Sequence, residues 1–222
     1  MPKIKMPRSS PALDMTPMVD LAFLLVTFFM LTSAFRAEEP VVVDPPSSHS
    51  ITQLKDKDIM TITIDSAGRA FFNLDGKEIR MNLLTEMGKR YSAQYGAAVE
   101  FTDKEKLEFA VLTTVGIPIQ SMKQYLDAPQ EDRHKYDLAS KGIPTDSLTN
   151  QLVDWVDLGR RAWFDFNKDR SDGNKLRYAI KGAGDADYKD VNKILSMFVH
   201  NPNIDVKRFN FITDMESGGA EE

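Results

Sequence analysis

The longest apolar run of the chain extends from Pro17 to Phe35, and Asp20 is the single charged residue within it. A helix of 19 residues rises roughly 28 Å, about the thickness of the hydrocarbon core of a bilayer. Three basic residues precede the run, whereas one basic and two acidic residues follow it closely. The pattern therefore predicts a transmembrane helix at residues 15–36 with a cytoplasmic N-terminus at residues 1–14. A cleaved signal peptide is the alternative. The charge of Asp20 within the run, and a run longer than the usual apolar region of a signal peptide, argue against it.

Polar positions of the predicted helix share one face. At about 100° per residue, Thr16, Asp20 and Thr27 fall within roughly 60° of one another. A charged side chain inside a membrane helix is unfavourable and normally marks an ion or proton path. We therefore expect other transmembrane helices to surround this face, the alternative being an Asp20 that reaches the polar headgroups. The candidates for partner contact lie in the helix and in the segment after it: Pro17, Leu24, Leu31, Val41, Val42 and Val43.

A proline-containing linker at residues 37–58 separates this run from the next regular pattern. Residues 60–64 and 70–74 alternate apolar and polar side chains on either side of Ser66-Ala67-Gly68. This period of two, interrupted by turn residues, predicts a β-hairpin. Apolar positions then return at helical spacing from Leu84 onward, which predicts a helix after the hairpin.

In the C-terminal part of the chain, the apolar pattern changes again from the period of a strand to that of a helix. Residues 175–181 alternate, an amphipathic helix with an apolar stripe from Tyr188 to Phe198 follows, and residues 206–213 form the last predicted strand. This order predicts a β-α-β unit. The fold class is therefore α+β, a small sheet with helices packed on one face at residues 59–215, followed by a flexible tail at residues 216–222.

Composition and the remaining motifs exclude several classes of function. The net charge of −5 and the lack of a basic patch argue against nucleic-acid binding, and a chain without cysteine forms no disulfide. Gly182-Ala183-Gly184 lacks the third glycine of a dinucleotide-binding loop. Asp165 to Asp169 imitates the start of a calcium loop, but Arg170 replaces the required glycine. We predict that the protein is not an enzyme and holds no metal or organic cofactor.

The start of the apolar run resembles a known family. Thr16-Pro17-Met18-Val19-Asp20, followed by the apolar residues from Leu21 to Thr32, is similar to the membrane segment of the ExbD/TolR family of biopolymer-transport proteins. The resemblance covers residues 1 to about 80. It resumes near Lys175, where Ile180 to Tyr188 match the strand and acidic turn that precede the last helix of the family.

The resemblance implies a subunit of a proton-driven motor in the inner membrane that energises TonB-dependent transport. Asp20 would be the protonatable residue, with protons as the coupling ion and no cofactor. The implied partners are an ExbB/TolQ-like multi-span subunit, a TonB-like or TolA-like periplasm-spanning protein and a second copy of this chain. The N-terminus would lie in the cytoplasm and the C-terminal domain in the periplasm. Val43, Asp44 and Pro45 depart from the Leu-Pro pair that the family often has near this position.

Residues 96–172 form a helical insertion relative to compact members of this family. Thr102 and Glu105 have the spacing of a helix capping box, and further apolar stripes continue to Trp163. Because the resemblance lies on both sides of this segment, we expect the sheet to fold without it.

Two other functions are compatible with the same residues. One is a non-motor, single-pass periplasmic binding or scaffold protein in which Asp20 only specifies helix assembly. The other is a motor subunit of a different system, either TolR-like envelope maintenance or a gliding-type motor. Purification of the native complex would separate these possibilities.

Overall fold

A computed structural model describes most of the chain as two units, Met1–Ala37 and Glu38–Glu222. The described residues are 15–32, 40, 41, 43–45, 47, 48, 57–95, 99–146, 149–169, 175–199, 201, 204, 209–212, 214 and 215.

The described part of the first unit is helix α1 (Thr16–Thr32), of 17 residues. It lies within the predicted segment at residues 15–36. Its first turn includes Pro17, where the missing backbone N–H is harmless because the first N–H groups of a helix have no partner within the helix. Every side chain of α1 is exposed except that of Thr27, which is half-buried. Among the described residues, none of the helices combines the length and the apolar character needed to cross a bilayer.

The second unit contains six helices and eight strands in its described residues. The helices are α2 (Lys77–Tyr95), α3 (Asp103–Val111), α4 (Ile119–Asp127), α5 (Gln130–Ala139), α6 (Gln151–Phe166) and α7 (Tyr188–Val199). The strands are β1 (Ser47–Ser48), β2 (Ile59–Ile64), β3 (Ala70–Leu74), β4 (Thr145–Asp146), β5 (Thr149–Asn150), β6 (Arg177–Gly182), β7 (Asn210–Ile212) and β8 (Asp214–Met215).

Four of these strands form the main sheet, in the order β3-β2-β6-β7. Strands β2 and β3 are antiparallel, with Met60 opposite Leu74 and Ile64 opposite Ala70. Strand β6 is parallel to both β2 and β7, and α7 connects β6 to β7. The predicted hairpin and the predicted β-α-β unit are therefore confirmed.

The core lies on the sheet face that carries alternate residues of β2. Met60, Ile62 and Ile64 are buried, and each lies opposite an apolar residue of β3. Helices α2, α6 and α7 add buried side chains to the same cluster: Leu83, Leu84, Met87, Leu152, Trp155, Ile194 and Phe198. On the other face, Thr61 and Asn73 remain partly exposed. The unit is thus a mixed α+β domain with a small sheet and helices, as the alternating pattern predicts.

Capping residues determine where several helices begin. The Thr102 side chain accepts a hydrogen bond from the backbone N–H of Glu105, and the Glu105 carboxylate accepts one from that of Thr102, which confirms the predicted capping box of α3. Asn150 accepts a hydrogen bond from the N–H of Val153 at the start of α6. These bonds satisfy donors that have no partner within the helix.

The described part of the segment at residues 96–172 is largely helical and packs against the sheet, so the expectation that the sheet folds without it stays a prediction. Trp155 of α6 stacks on Phe72 of β3 and on Phe109 of α3, with ring centroids 5.8 and 5.7 Å apart. Val115 and Phe72 exchange backbone hydrogen bonds of 2.7 and 2.8 Å. Deletion of the segment would therefore expose one side of the core. A family resemblance on both sides of a segment carries no information about how that segment packs.

Parts of the predicted linker contact the domain. Val43 is 4% exposed, and the backbone oxygen of Asp44 accepts a hydrogen bond of 2.9 Å from the N–H of Gly184. Strand β1 pairs in parallel with β8 over two residues on each side. The linker is therefore attached to the domain at these described positions.

Candidate functional site

The sequence-predicted site lies on α1, and the helix brings its polar residues to one side. Asp20 is the fifth residue of the helix, one turn after the Thr16-Pro17 start. A shallow groove surrounds it, lined by Thr16, Pro17, Val19, Asp20 and Phe23. The backbone N–H of Val19 donates to the oxygen of Met15 at 3.1 Å, so the first turn is closed before Asp20 is reached.

Asp20 has no partner in the described part of the chain. Its carboxylate is exposed, and none of the hydrogen bonds or ion pairs between described residues involves it. An ionised carboxylate is an acceptor for several hydrogen bonds, and a protonated one becomes a donor as well. The side chain is thus free to take either role toward a group that lies outside α1.

Two of the three threonine hydroxyls of α1 donate to the backbone of their own helix. Thr27 Oγ1 donates to the oxygen of Leu24 at 2.9 Å, and Thr32 Oγ1 donates to that of Phe28 at 2.8 Å. Because a hydroxyl has one hydrogen, each oxygen keeps only its acceptor capacity for other groups. Thr27 therefore presents an acceptor on the face of Asp20. Thr32 presents an acceptor on another face, about 140° around the helix from Thr27.

The rest of the Asp20 face is apolar and uncovered. Leu24 is 65% exposed and Leu31 is 87% exposed, and both lie on the stripe that contains Asp20 and Thr27. Exposed Phe and Leu side chains cover the other directions around α1. The helix thus presents one carboxylate and a few hydroxyl groups on a mainly apolar surface, which is exposed for contact with other molecules.

The linker valines differ in their availability. Val41 is half-buried, whereas Val43 is buried within the second unit. Contact of Val43 with a partner would require its release from that position. Val42 lies outside the described residues, and the predicted partner contacts at all three valines stay predictions.

Sequence patterns missed a set of polar side chains buried in the second unit. Asp58, Asp137 and Asp157 are nearly inaccessible, and each has hydrogen-bond partners far away in the sequence. Burial raises the pKa of the Asp137 carboxyl, although a hydrogen bond from the hydroxyl of Tyr125 acts in the opposite direction. Burial also lowers the pKa of Arg80 to about 10, against the effect of nearby Asp75. The partners in such pairs are not separated by any characteristic number of residues, so a sequence pattern could not reveal them.

Among the described residues, no three His, Asp or Glu side chains are grouped so as to hold a metal ion. The polar side chains of α1 are one carboxylate and three threonines, of which Thr27 and Thr32 donate to the backbone. A single carboxylate of this kind accepts hydrogen bonds when ionised and can also donate one when protonated.

Comparison with known proteins identifies the family. No curated protein and no solved structure matches the chain. A family model described as "Biopolymer transport protein ExbD/TolR" matches residues 6–207, a range that includes α1, the sheet and the helical segment between β3 and β6. The chain therefore belongs to the ExbD/TolR family of biopolymer-transport and envelope-related membrane proteins.

Proposed function

We propose that this chain is the single-span subunit of an inner-membrane motor driven by the proton motive force, and that Asp20 carries the proton. The observation that supports this proposal most is the isolated carboxylate on α1, which is exposed and has no partner among the described residues. Members of the ExbD/TolR family generally work with ExbB/TolQ-type and TonB/TolA-type proteins. We infer that this chain uses partners of both kinds to energise transport across the outer membrane.

The membrane placement is part of the proposal. The apolar run of the sequence from Pro17 to Phe35 is long enough for one crossing, and α1 occupies most of it. The charge distribution around the run favours a cytoplasmic N-terminus. The second unit then lies in the periplasm, and a second copy of the chain completes a dimer.

The mechanism follows from the cost of the Asp20 charge in an apolar environment. An Asp opposes insertion by up to about 2.5–3.5 kcal/mol, the value at the helix centre, so the ionised form of Asp20 requires water or polar groups from a surrounding multi-span partner. Protonation removes the charge and with it the preference for those groups. Each elementary charge that crosses 100 mV releases about 2.3 kcal/mol. Repeated protonation and release can therefore drive alternation between two positions of α1 within the partner.

The decisive experiment compares Asp20→Asn with Asp20→Glu in the native complex. Asn keeps the size and some hydrogen bonding but exchanges no proton, so we expect normal copurification with the multi-span partner and complete loss of gradient-driven transport. Glu keeps the acid and changes only its reach, so partial activity is expected. Wild-type transport by the Asp20→Asn complex would rule out a proton-carrying role.

Two threonines provide a matched pair for the same assay. Thr27 and Thr32 both donate their hydroxyl hydrogen to a backbone oxygen of α1. Thr27→Val removes an acceptor from the Asp20 face, and a loss of about twofold to tenfold in transport is expected because a hydrogen bond contributes roughly 0.5–1.5 kcal/mol. Thr32→Val makes the same chemical change on another face and should leave transport unchanged. Equal effects of the two variants would contradict a specific role of the Asp20 face.

The alternative functions make different predictions. A non-motor scaffold would tolerate Asn at position 20 without loss of function and would not require a multi-span partner. A TolR-like or gliding-type motor would lose activity with the same substitution, but the lost activity would be envelope maintenance or movement. The phenotype of the Asp20→Asn strain therefore separates all three.

A further inference from the structure

Asp58 occupies the position at which the chain enters the main sheet. It directly precedes β2, which is a central strand of the main sheet. Its φ angle is +60°, and it is the single non-glycine residue with a positive φ in the described part of the chain. This left-handed conformation is uncommon for residues with a side chain, although Asp tolerates it better than most. Surrounding contacts must therefore stabilise this conformation.

Three groups of Asp58 bind three different elements. Its backbone N–H donates to Asp75 Oδ2 at 3.1 Å, in the turn after β3. Its backbone oxygen accepts from the N–H of Arg177 at 2.9 Å, at the start of β6. Its carboxylate Oδ1 accepts from Trp163 Nε1 of α6 at 3.0 Å in a buried position. The residue thus joins both neighbours of β2 and the helix that packs on the core.

We propose that Asp58 is the anchor through which mechanical load enters the main sheet. This inference rests on the proposed function, because a motor must transmit force between α1 and the second unit. A single stretch of backbone leads from α1 to β2, and Asp58 is its last residue before the strand. A force transmitted along the backbone therefore reaches β2 at Asp58. A clamp at this residue holds the end of β2 against β3, β6 and α6 before load reaches the strand itself.

The attachment that precedes Asp58 in the chain has fewer described contacts. Around Val43 it consists of one buried side chain and the hydrogen bond from Gly184 to Asp44. The two-residue pair of β1 with β8 adds to it. At Asp58 the side chain also takes part, and its bond to Trp163 is charge-assisted and buried, which makes it stronger than a bond between neutral groups. The helical segment between β3 and β6 thereby gains a role, because it supplies Trp163.

The test measures unfolding of the purified full-length chain, in detergent, under constant load. The chain has no cysteine, so cysteines at the exposed positions Lys57 and Lys189 give unique handles. Load between these positions shears β2 against its parallel neighbour β6. Asp58→Gly removes the acceptor while it permits the positive φ. Trp163→Phe removes the donor and keeps most of the ring.

Asp65 provides the matched control, because it is a buried Asp at the opposite end of β2. Its carboxylate accepts from the backbone N–H of Arg69 at 2.7 Å and pairs with the Arg69 side chain at 2.6 Å. Asp65→Ala thus removes a comparable set of bonds away from the point where load enters. Loss of this buried pair lowers the equilibrium stability, but the bonds lie away from the loaded end of β2, so we expect the variant to raise the unfolding rate at fixed load by less than about twofold.

We expect Asp58→Gly and Trp163→Phe each to raise the unfolding rate at fixed load about tenfold, the factor that corresponds to 1.4 kcal/mol. The unfolding rate of the double variant should be close to that of the faster single variant, because both substitutions remove the same hydrogen bond. An Asp58→Gly rate within about twofold of wild type, or an equal rise in Asp65→Ala, would overturn the proposal. Since no partner or proton gradient is used, the result is independent of the Asp20 test of the motor.

Discussion

Asp20 and Asp157 are the same residue type in two regions of the molecule with opposite surroundings. Asp157 is buried on α6 and accepts hydrogen bonds from Arg90 at 3.0 Å and from Arg161 at 3.1 Å. Asp20 is exposed on α1 and has no partner among the described residues. The chain itself satisfies the first carboxylate, so that carboxylate stabilises the fold. The second is left for another molecule to satisfy, which is what an exchangeable proton site requires.

Among the changes that test how the domain is stabilised, we expect the removal of residues 96–172 to have the largest effect on its unfolding. Because Trp155, Phe109 and Val115 lie in this segment and pack on or pair with the sheet, the shortened domain should lose cooperative unfolding altogether. Chemical denaturation followed by circular dichroism checks this expectation. A cooperative transition in the shortened chain would instead support the sequence-based expectation that the segment is dispensable.

Replacement of a single core residue of the segment should have the next largest effect. Trp155→Ala removes the ring that stacks between Phe72 and Phe109, and a loss of about 3–5 kcal/mol in the free energy of unfolding is expected. Leu107→Ala is the control on α3, where the side chain is 60% exposed, and should change the same quantity by no more than about 0.5 kcal/mol. Similar losses in the two variants would show that the described packing is wrong.

Substitution of the two compared carboxylates should separate stability from function. Asp157→Ala leaves Arg90 and Arg161 without their buried acceptor, so the domain should lose about 2–3 kcal/mol of unfolding free energy, less than a fully buried pair because both arginines are partly exposed. Asp20→Ala should change the unfolding free energy of the domain by less than about 0.5 kcal/mol. Urea denaturation of both variants measures this difference, and a destabilised Asp20→Ala domain would contradict the comparison.

The smallest expected effect concerns pH. Burial raises the pKa of Asp137, so the folded state binds a proton more tightly than the unfolded state does. The contribution of this group to stability is therefore greatest below its ordinary pKa of 3.8 and is lost as pH rises through the raised value. Asp137→Asn cannot ionise and should lack this decline.

The measurement for Asp137 is the difference in unfolding free energy between wild type and Asp137→Asn as a function of pH. The groups that face this carboxyl are Tyr125, Arg133, His134 and Arg69, and they are unchanged in the variant. A difference that grows as pH rises above 3.8 supports the assignment. A constant difference would show that Asp137 does not titrate within this range.

The sequence predicts features that depend on residues close together in the chain, and it does not predict contacts between distant residues. The β-hairpin, the capping box and the Asp20 face follow from spacings of a few residues, so the pattern is sufficient for them. The bond between Asp58 and Trp163 joins residues 105 positions apart, and the stacking of Trp155 on Phe72 is similarly distant in the chain. Alternation and capping rules contain no information about such contacts. The sequence-based expectation for residues 96–172 therefore took no account of the contacts between this segment and the sheet.

The parallel pairing of β2 with β6 has a consequence for biogenesis. The partners Ile59 and Arg177 are separated by more than a hundred residues of the chain. During synthesis the hairpin of β2 and β3 therefore emerges long before β6 is available, and one edge of β2 has unsatisfied backbone groups for that time. Non-local pairing of this kind slows folding. A chaperone that shields this strand edge until β6 arrives would therefore raise the yield of folded protein.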